Sequence, residues 1–424
     1  MIDPFSFPNI HFPEQFLFGA ATAGEQVEGN NKSQFDTRVY QQNVENEGMQ
    51  YALPGKAANS WEQFPDDVAL LKKMHLNLYR MSIEWSRIEP ERGHYDEVAV
   101  AHYIDQFKQL REAGIKICLT LHHFAHPQWF EKQGAFRTLD NVSEFQKYLT
   151  YIVPKVAPYV DYWIVINESN LPFQYSITER MNLLTYHAIG YGLIKKYSDK
   201  PVSSAISFSP KHPFRGSENS LDQLMAKWLD YTENEYFIHA LRTGEVTMPE
   251  HDAYTVEGLK DSFDYWAVNI YVRQNIDGHK ADYRSGDYAA THLDVLPHPF
   301  YMEEISPEII IDMAARFSDK PILITENGFA TTNDDVRIVY IAEMLQEIHQ
   351  AIQMGYPIIG YTHWSLLDNW EWGDTTPTFG LASVDGQFNR HLKHSGEFYG
   401  DIAESGQLTQ EILRQYLHEQ PKLD

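Results

Sequence analysis

The sequence predicts a (β/α)8 barrel, and three observations support this prediction. The chain has 424 residues, a length that suits one large α/β barrel or two average domains. Eight short apolar segments of strand-like composition recur along it. Between them lie stretches with apolar residues at three- and four-residue spacing, which indicates helices packed on a core. Strands that alternate with helices predict a parallel sheet, and about eight such units close into a barrel.

Each predicted strand is a short apolar run bounded by a turn or by a helix pattern. The runs are residues 16–24, 77–85, 116–123, 161–168, 202–208, 264–271, 321–327 and 358–365. The clearest helix patterns span residues 65–75, 98–114 and 336–355, and the last of these ends on a glycine stop signal.

The alternative architecture is a doubly wound open sheet, which favours a glycine-rich phosphate loop after the first strand. The segment GAATAGEQ at that place has Gly19 and Gly24 but lacks the required spacing, so we favour the barrel. We expect a single domain over residues 1–424, because neither a linker nor a low-complexity tract interrupts the pattern. Loops are expected at residues 232–262 and 273–300.

Composition argues against several classes of function. The formal net charge is −25, so we expect neither nucleic acid nor an anionic membrane surface as a partner. The sequence has no apolar run of about 18 residues and no leader-like N-terminus, so we expect a cytoplasmic protein without membrane spans. The one cysteine, Cys118, lies in a core-strand pattern and is expected to be a small buried hydrophobe.

Polar and aromatic side chains cluster at the predicted C-terminal strand ends, where the active sites of such barrels form. They are Gln26, Glu28, Arg80, Glu84, His122, His123, Asn167, Glu168, Asn269, Tyr271, Glu326, Asn327, Trp364, Asp368, Glu371 and Trp372. A barrel built for stability alone would not need this pattern, so it predicts a functional site.

Two carboxylates, Glu168 and Glu326, each end an apolar run. Glycoside hydrolysis requires such a pair, with one group as the acid on the leaving oxygen and the other as nucleophile or base at the anomeric carbon. The nucleophile must stay ionised, and we expect Arg80 to point into the barrel and keep Glu326 charged. The acid must hold its proton, so we expect a raised pKa at Glu168.

The histidine cluster HHFAH has two interpretations. Histidines at this spacing bind zinc when they lie on a helix, but Pro127 follows the cluster and no Cys or Asp neighbours complete a ligand set. We therefore expect no metal, and we expect His123 to contact sugar hydroxyls.

The segment HWSLLDNWEW contains three tryptophans. Trp364 and Trp372 lie on either side of Glu371 in the sequence, which places a hydroxyl acceptor beside flat apolar rings and favours a sugar platform. Trp370 is expected to be a core residue.

Together these segments resemble glycoside hydrolase family 1, the β-glucosidase family. The similar segments cover nearly the whole chain and are FLFGAATAGEQVEG, YRMSIEWSRIEP, TLHHFAHPQWF, INES, ITENG and WSLLDNWEWGD. The combination of ITENG with WSLLDNWEW is highly specific for this family, whereas INES alone would be a weak indication of it. The resemblance implies a retaining exo-β-glycosidase that needs no metal or organic cofactor.

The resemblance also implies individual roles. Glu326 would be the nucleophile, Glu168 the acid/base, and Asn167 the contact to the sugar 2-hydroxyl. Tyr271 would touch the nucleophile. The substrate-binding positions would be Gln26, His123, Asn167, Tyr271, Trp364, Glu371 and Trp372, and the last three of these would read the 3-, 4- and 6-hydroxyls. Arg80 and Asn269 are expected to support the site.

The sequence departs from the family's pattern at the rim of the site. Ser169 follows the acid Glu where the family has Pro, which frees the local backbone. Phe124 replaces a Trp and removes an indole N–H donor. Glu25 stands where the family has Tyr, and Thr378 where it has Arg. We therefore expect a retained innermost sugar site and an altered aglycone side.

Three alternative functions remain open at this point. The branch that acts on 6-phosphorylated sugars usually lacks Glu371 and carries Ser and Lys in the next loop. WEWGDTTPTFG keeps the Glu without a Lys, so we expect unphosphorylated glucosides or galactosides as substrates. A transglycosylase would use the same intermediate. A catalytically inactive sugar-binding barrel would suit the altered rim, but the presence of both carboxylates argues against it.

Overall fold

The computed structural model describes residues 3–46, 48, 50–280, 295–297 and 302–421. Eight parallel strands close into a barrel, and each strand pairs with the next one along the chain, so the predicted fold class is confirmed. The strands are β1 (Leu17–Ala21), β2 (Leu78–Ser82), β3 (Lys116–Thr120), β4 (Tyr162–Asn167), β5 (Val202–Ser207), β6 (Trp266–Asn269), β7 (Ile322–Asn327) and β8 (Ile358–Trp364). The barrel closes where β8 pairs with β1, from Gly360 opposite Leu17 to Trp364 opposite Ala21.

A principal helix follows each strand and packs on the outside of the barrel. These helices are α1 (Ser60–Lys73), α2 (Glu97–Glu112), α3 (Val142–Val156), α4 (Ile177–Tyr197), α5 (Tyr236–Thr243), α6 (Ile309–Arg316), α7 (Asp334–Gln353) and α8 (His394–Ser405). Helix α4 begins with a capping box, in which the Ser176 hydroxyl accepts from the Glu179 amide while the Glu179 carboxylate accepts from the Ser176 amide.

Shorter elements decorate this frame. The short helices and turns span Pro4–Ser6, Gly24–Val27, Arg38–Asn46, Trp85–Ile88, Gln128–Lys132, Ala135–Arg137, Leu139–Asn141, Ala157–Tyr159, Ser220–Asp230, Tyr231–Glu235 and Gln410–Tyr416. Two-stranded sheets pair Ile10–His11 with Gln407–Leu408, Lys211–Pro213 with Gln274–Ile276, Glu245–Val246 with Tyr254–Thr255, Val295–Pro297 with Met302–Glu304, and Ala382–Val384 with Arg390–Leu392. Among the described helices, none combines the length and apolar character needed to cross a bilayer.

Side chains from the barrel strands, together with Tyr265 directly before β6, form a buried cluster of their own. Its members are Leu17, Leu78, Cys118, Ile164, Ala205, Tyr265, Ala267 and Leu323. Burial raises the pKa of the Cys118 thiol to about 12, so this side chain behaves as an apolar residue, as expected.

The prediction of loops over residues 232–262 is wrong for the first part of that range. A π-helical turn at Tyr231–Glu235 runs directly into α5, which Gly244 ends in a left-handed conformation. The polar start of this segment hides a helix whose apolar face is buried against the core. In the range 273–300, Gln274–Ile276 forms a strand, and residues 281–294 and 298–300 lie outside the described residues.

Candidate active site

The barrel brings Glu168 and Glu326 to the same end of the sheet. Glu168 directly follows the last residue of β4, and Glu326 is the last but one residue of β7. Both side chains are buried, and the charge of Glu326 acts on the Glu168 carboxyl. Hydrogen bonds through Arg80, Asn167 and Asn269 connect the two groups.

The guanidinium of Arg80 lies inside the barrel and is fully buried. Its Nε donates to Thr120 Oγ1 at 3.0 Å, its Nη2 donates to Asn167 Oδ1 at 2.7 Å, and its Nη1 forms an ion pair with Glu326 Oε1. The Tyr271 hydroxyl donates to the other oxygen of Glu326 at 2.7 Å. A cation and a hydroxyl donor together stabilise the negative charge of Glu326.

Glu168 has a different environment, because the side chains that donate to it, the Asn269 amide and the Ser207 hydroxyl, are uncharged. Asn269 Nδ2 lies 2.8 Å from Glu168 Oε1. Burial, and then the charge of Glu326, raise the pKa of Glu168 to about 8. Glu168 is therefore mainly protonated at neutral pH, while Glu326 has the Arg80 guanidinium as its ion-pair partner.

The orientation of the Asn269 amide follows from a neighbour that the sequence reasoning missed. Thr325 Oγ1 donates to Asn269 Oδ1 at 2.7 Å, so the Asn269 Nδ2 group faces Asn167 Oδ1 at 3.0 Å and Glu168. The sequence signal for this role was the position of Thr325 directly before Glu326 in the ITENG motif. Thr120, which positions Arg80, was also missed, and its only signal is its place at the end of β3.

A second set of side chains forms a polar and aromatic floor next to the carboxylates. Trp364 Nε1 donates to Glu371 Oε1 at 3.0 Å, and Gln26 Nε2 donates to Glu371 Oε2 at 3.1 Å. The His123 ring lies nearly parallel to the rings of Trp364 and Trp372, with ring centres 6.0 Å apart in both cases.

Two buried polar atoms of this floor have no hydrogen-bond partner in the described part of the chain. They are Gln26 Oε1 and His123 Nδ1. Burial lowers the pKa of His123 well below its usual range, so the ring is neutral. Burial also raises the pKa of Glu371 to about 8. Neutral groups with unused hydrogen-bonding capacity suit an uncharged polyhydroxylated ligand.

Close approach of two strand ends explains the glycine after the ITEN sequence. A Cβ atom built on Gly328 would collide with the carbonyl oxygen of Trp364. The end of β7 therefore passes directly beneath the start of the segment that carries Glu371, and only glycine fits there.

The comparison with protein families agrees with this geometry. The family model "Glycosyl hydrolase family 1" matches residues 9–182 and 177–407. The chain belongs to glycosyl hydrolase family 1. It is similar to the β-galactosidase of Saccharolobus solfataricus, with 27% identity over 480 residues that cover 95% of this chain and 96% of the relative.

Two further comparisons define the range of relatives of this glycoside hydrolase. The 6-phospho-β-galactosidase of Staphylococcus haemolyticus is 27% identical over 468 residues, covering 93% of this chain and 99% of the relative. Among solved structures, a β-glycosidase from Pyrococcus horikoshii superposes with a TM-score of 0.84 and 30% identity, covering 96% of this chain and 98% of that one. The chain is therefore an enzyme of the β-glycosidase kind, acting on O-glycosyl bonds.

Several of the strand-end residues do not face the carboxylates of this glycosidase. Glu28 pairs with Arg87 at 3.0 Å, and Glu84 accepts from Ser82 Oγ at 2.9 Å, so both belong to a separate buried cluster. Asp368 pairs with Lys393 at 2.8 Å.

The remaining strand-end residues have structural partners. His122 contacts His126 at 3.4 Å, and His126 contacts Glu131 at 3.0 Å. Asn327 Nδ2 donates to Tyr340 OH at 2.9 Å, and Trp370 is buried with its indole N–H on a main-chain carbonyl. In the described ranges no group of three or more His, Cys, Asp or Glu side chains is arranged to hold a metal ion.

Proposed function

We propose that this family 1 enzyme is a retaining exo-β-glycosidase that hydrolyses β-linked glucosides or galactosides through a covalent glycosyl-enzyme. Glu326 is the nucleophile and Glu168 is the acid/base. The observation that carries the proposal is the contrast between their environments. Glu326 contacts Arg80 and Tyr271, whereas the pKa of Glu168 is raised to about 8 by burial.

The first step follows from the two protonation states. An oxygen of Glu326 attacks the anomeric carbon, and the bond from that carbon to the leaving oxygen breaks. Glu168 gives its proton to the leaving oxygen, so the aglycone departs as a neutral alcohol. The ester that forms on Glu326 carries no charge, and Glu168 is now a carboxylate.

The second step reverses the roles. Esterified Glu326 no longer keeps a negative charge beside Glu168, so one of the causes of the raised Glu168 pKa disappears. Glu168 takes a proton from water while the water oxygen attacks the anomeric carbon. The sugar is released with its original configuration, Glu326 regains its charge and Glu168 regains its proton.

The floor supports recognition of a terminal sugar. Gln26 and Trp364 both donate to the Glu371 carboxyl group, and all three residues are buried. The unpartnered Gln26 Oε1 and His123 Nδ1 supply acceptors or donors for ring hydroxyls. Asn167, which accepts from Arg80 and Asn269, would contact the 2-hydroxyl.

The surroundings of Glu371 favour an unphosphorylated sugar. A phosphate dianion needs a cation or several free N–H donors. In the described part of the chain, the side-chain donors to Glu371 are the indole of Trp364 and the amides of Gln26 and Asn369, and all three are already used on its carboxyl group. A phosphate dianion beside this buried acid would lose its hydration without gaining a compensating cation, so it would be destabilised.

The experiment is a panel of aryl β-glucosides and β-galactosides, each with and without a 6-phosphate, followed by proton NMR of the first product. We expect turnover of an unphosphorylated substrate with the β-anomer appearing first. The α-anomer would contradict the retaining mechanism, and the absence of all turnover would indicate an inactive sugar-binding barrel. A preference for the 6-phosphate would contradict the substrate class. Added methanol separates a hydrolase from a transglycosylase by the yield of methyl glycoside.

A further inference from the structure

Glu168 is held in an unusual backbone conformation. Its φ angle is +46°, a region that side-chain-bearing residues seldom adopt and that persists only where the surroundings enforce it. The next residue, Ser169, stands where the family pattern noted above has proline. The ring that would restrict the backbone at this point is therefore absent, so another group must hold the chain.

The side chain of Asn170 occupies the place where the pairing of β4 with β5 stops. Main-chain pairing ends with Asn167 opposite Ala205 and with the Glu168 amide donating to the Ala205 carbonyl at 2.8 Å. Two residues further along β5, Asn170 Nδ2 donates to the Ser207 carbonyl at 2.8 Å, and the Ser207 amide donates to Asn170 Oδ1 at 2.9 Å. The side-chain amide thus imitates one more residue of the strand ladder.

A second anchor comes from the π-helical turn before α5. The other Nδ2 hydrogen of Asn170 is donated to the Glu233 carbonyl at 2.7 Å, and the residue is only 2% exposed. The turn is itself fixed, because Arg180 donates to the neighbouring Thr232 carbonyl at 2.7 Å and Glu233 pairs with Lys211 at 2.7 Å. Asn170 therefore ties the exit of β4 to two rigid segments.

We infer that Asn170 is a positioning residue that aims the Glu168 carboxyl at the leaving oxygen and takes over the restraint that proline would give. Asn170 acts through the backbone on either side of Ser169 and touches neither the sugar nor the reacting atoms. This inference rests on the acid/base role proposed for Glu168. In kcat/KM, which reports the first step, a misplaced acid slows only those substrates whose leaving oxygen needs a proton, which gives the inference a specific signature.

The test compares two substrates that share a sugar and differ in leaving group. Phenyl β-glucoside needs protonation of its leaving oxygen, and 2,4-dinitrophenyl β-glucoside does not. We expect Asn170→Ala to lower kcat/KM for the phenyl substrate at least about tenfold more than for the dinitrophenyl substrate. Equal losses on both substrates would overturn the inference.

Asn141 is the matched control. It is another buried asparagine, and its Nδ2 donates to two main-chain carbonyls, those of Gln133 at 3.0 Å and Ala135 at 2.9 Å. Asn141→Ala removes the same number of donated bonds away from Glu168. We expect it to change both substrates by the same factor, and a leaving-group effect as large as that of Asn170→Ala would contradict the inference.

A second variant covers a failure of Asn170→Ala to fold. Asn170→Asp keeps the size and the acceptor for the Ser207 amide, but its carboxylate cannot donate to the Ser207 and Glu233 carbonyls, so it should show the same selective loss. The absence of selectivity in this folded variant would count against the inference. Glu168→Ala separates the two claims. If Glu168→Ala slows both substrates equally, Glu168 is not the acid. If Glu168→Ala slows the phenyl substrate selectively and the Asn170 variants do not, the acid role stands and only the positioning role of Asn170 is refuted.

Discussion

Two buried clusters in this glycosidase each combine glutamates with one arginine, and only one of them lies at the active site. In the active site, Arg80 contacts Glu326, and Glu168 accepts from an amide. Behind the ends of β1 and β2, Arg87 contacts Glu28, and Glu84 accepts from a serine hydroxyl. Both arrangements leave one carboxylate with a cation and one without, so charge pattern alone does not identify a catalytic pair.

Space distinguishes the two clusters. A Cβ atom added to Gly24 would lie 2.5 Å from Glu84 Oε1 and 2.8 Å from Glu28 Oε1, so these carboxyls are packed against the backbone with no room for a sugar. Tyr103 contributes further, since its hydroxyl lies 2.9 Å from Glu28 Oε1 and its side chain fills the cluster. The active-site pair instead borders the aromatic floor with its unpartnered polar atoms. Burial therefore raises the pKa of a glutamate in both clusters. Only the glutamates at the barrel mouth can react, because a substrate can reach them there.

The largest expected effect on activity comes from removal of the nucleophile. Glu326→Gly should lower kcat on an aryl β-glucoside by about 10^5-fold or more, because no covalent intermediate can form. Azide in the assay should restore part of the rate by attacking from the vacated position, with inverted product. Full activity in this variant would refute the assignment. Glu28, the residue that holds the matching place beside Arg87, should not be essential for the chemistry.

The acid provides the next largest effect. Glu168→Ala should reduce kcat/KM for a phenyl glycoside by about 10^2- to 10^4-fold, because its leaving oxygen then departs without a proton. A dinitrophenyl glycoside should lose far less in its first step. Steady-state kinetics on both substrates measure the difference, and an equal steep loss on both would mean that Glu168 is not the acid.

The pH profile should follow the protonation of Glu168. Its pKa in the free enzyme is raised to about 8, so the acid is protonated below that pH and loses its proton above it. We expect kcat/KM for a phenyl glycoside to fall by about tenfold for each pH unit beyond that point. Glu168→Gln should remove this limb from the residual activity on a dinitrophenyl glycoside, while Glu84→Gln should leave it in place. A limb that moves with Glu84 would contradict the separation of the two clusters.

The smallest effect concerns stability alone. Burial raises the pKa of Glu84 well above its usual range in the folded protein, while the unfolded chain ionises this group near pH ~4.3. As pH rises above that value the unfolded state loses a proton that the folded state keeps, so ionisation favours unfolding. Glu84→Gln should therefore lessen the fall in Tm between acidic and mildly alkaline pH, with kcat/KM within about threefold of the wild type. Calorimetry at two pH values checks this, and an unchanged Tm difference would contradict it.

The sequence by itself determined the barrel and the identity of the residues that gather at its mouth. Periodicity is a local property, so the alternation of apolar runs with helix patterns was enough to locate all eight strands. It also determined that Glu168 and Glu326 end two of those strands. It missed the helical start of the region at 231–243, because a π-helical turn with polar residues breaks the period that marks a helix.

Only the tertiary structure decided which strand-end side chains meet. Glu28 lies only two residues after Gln26, and Glu84 lies only two residues beyond the end of the strand that carries Arg80, yet both glutamates turn away from the barrel axis. Beyond a strand end the alternation of faces stops, and the direction of a side chain then depends on the turn that follows and on the neighbour that packs against it. For the same reason the bridging role of Asn269 and the anchoring by Asn170 arise from contacts between segments far apart in the chain, which no local pattern encodes.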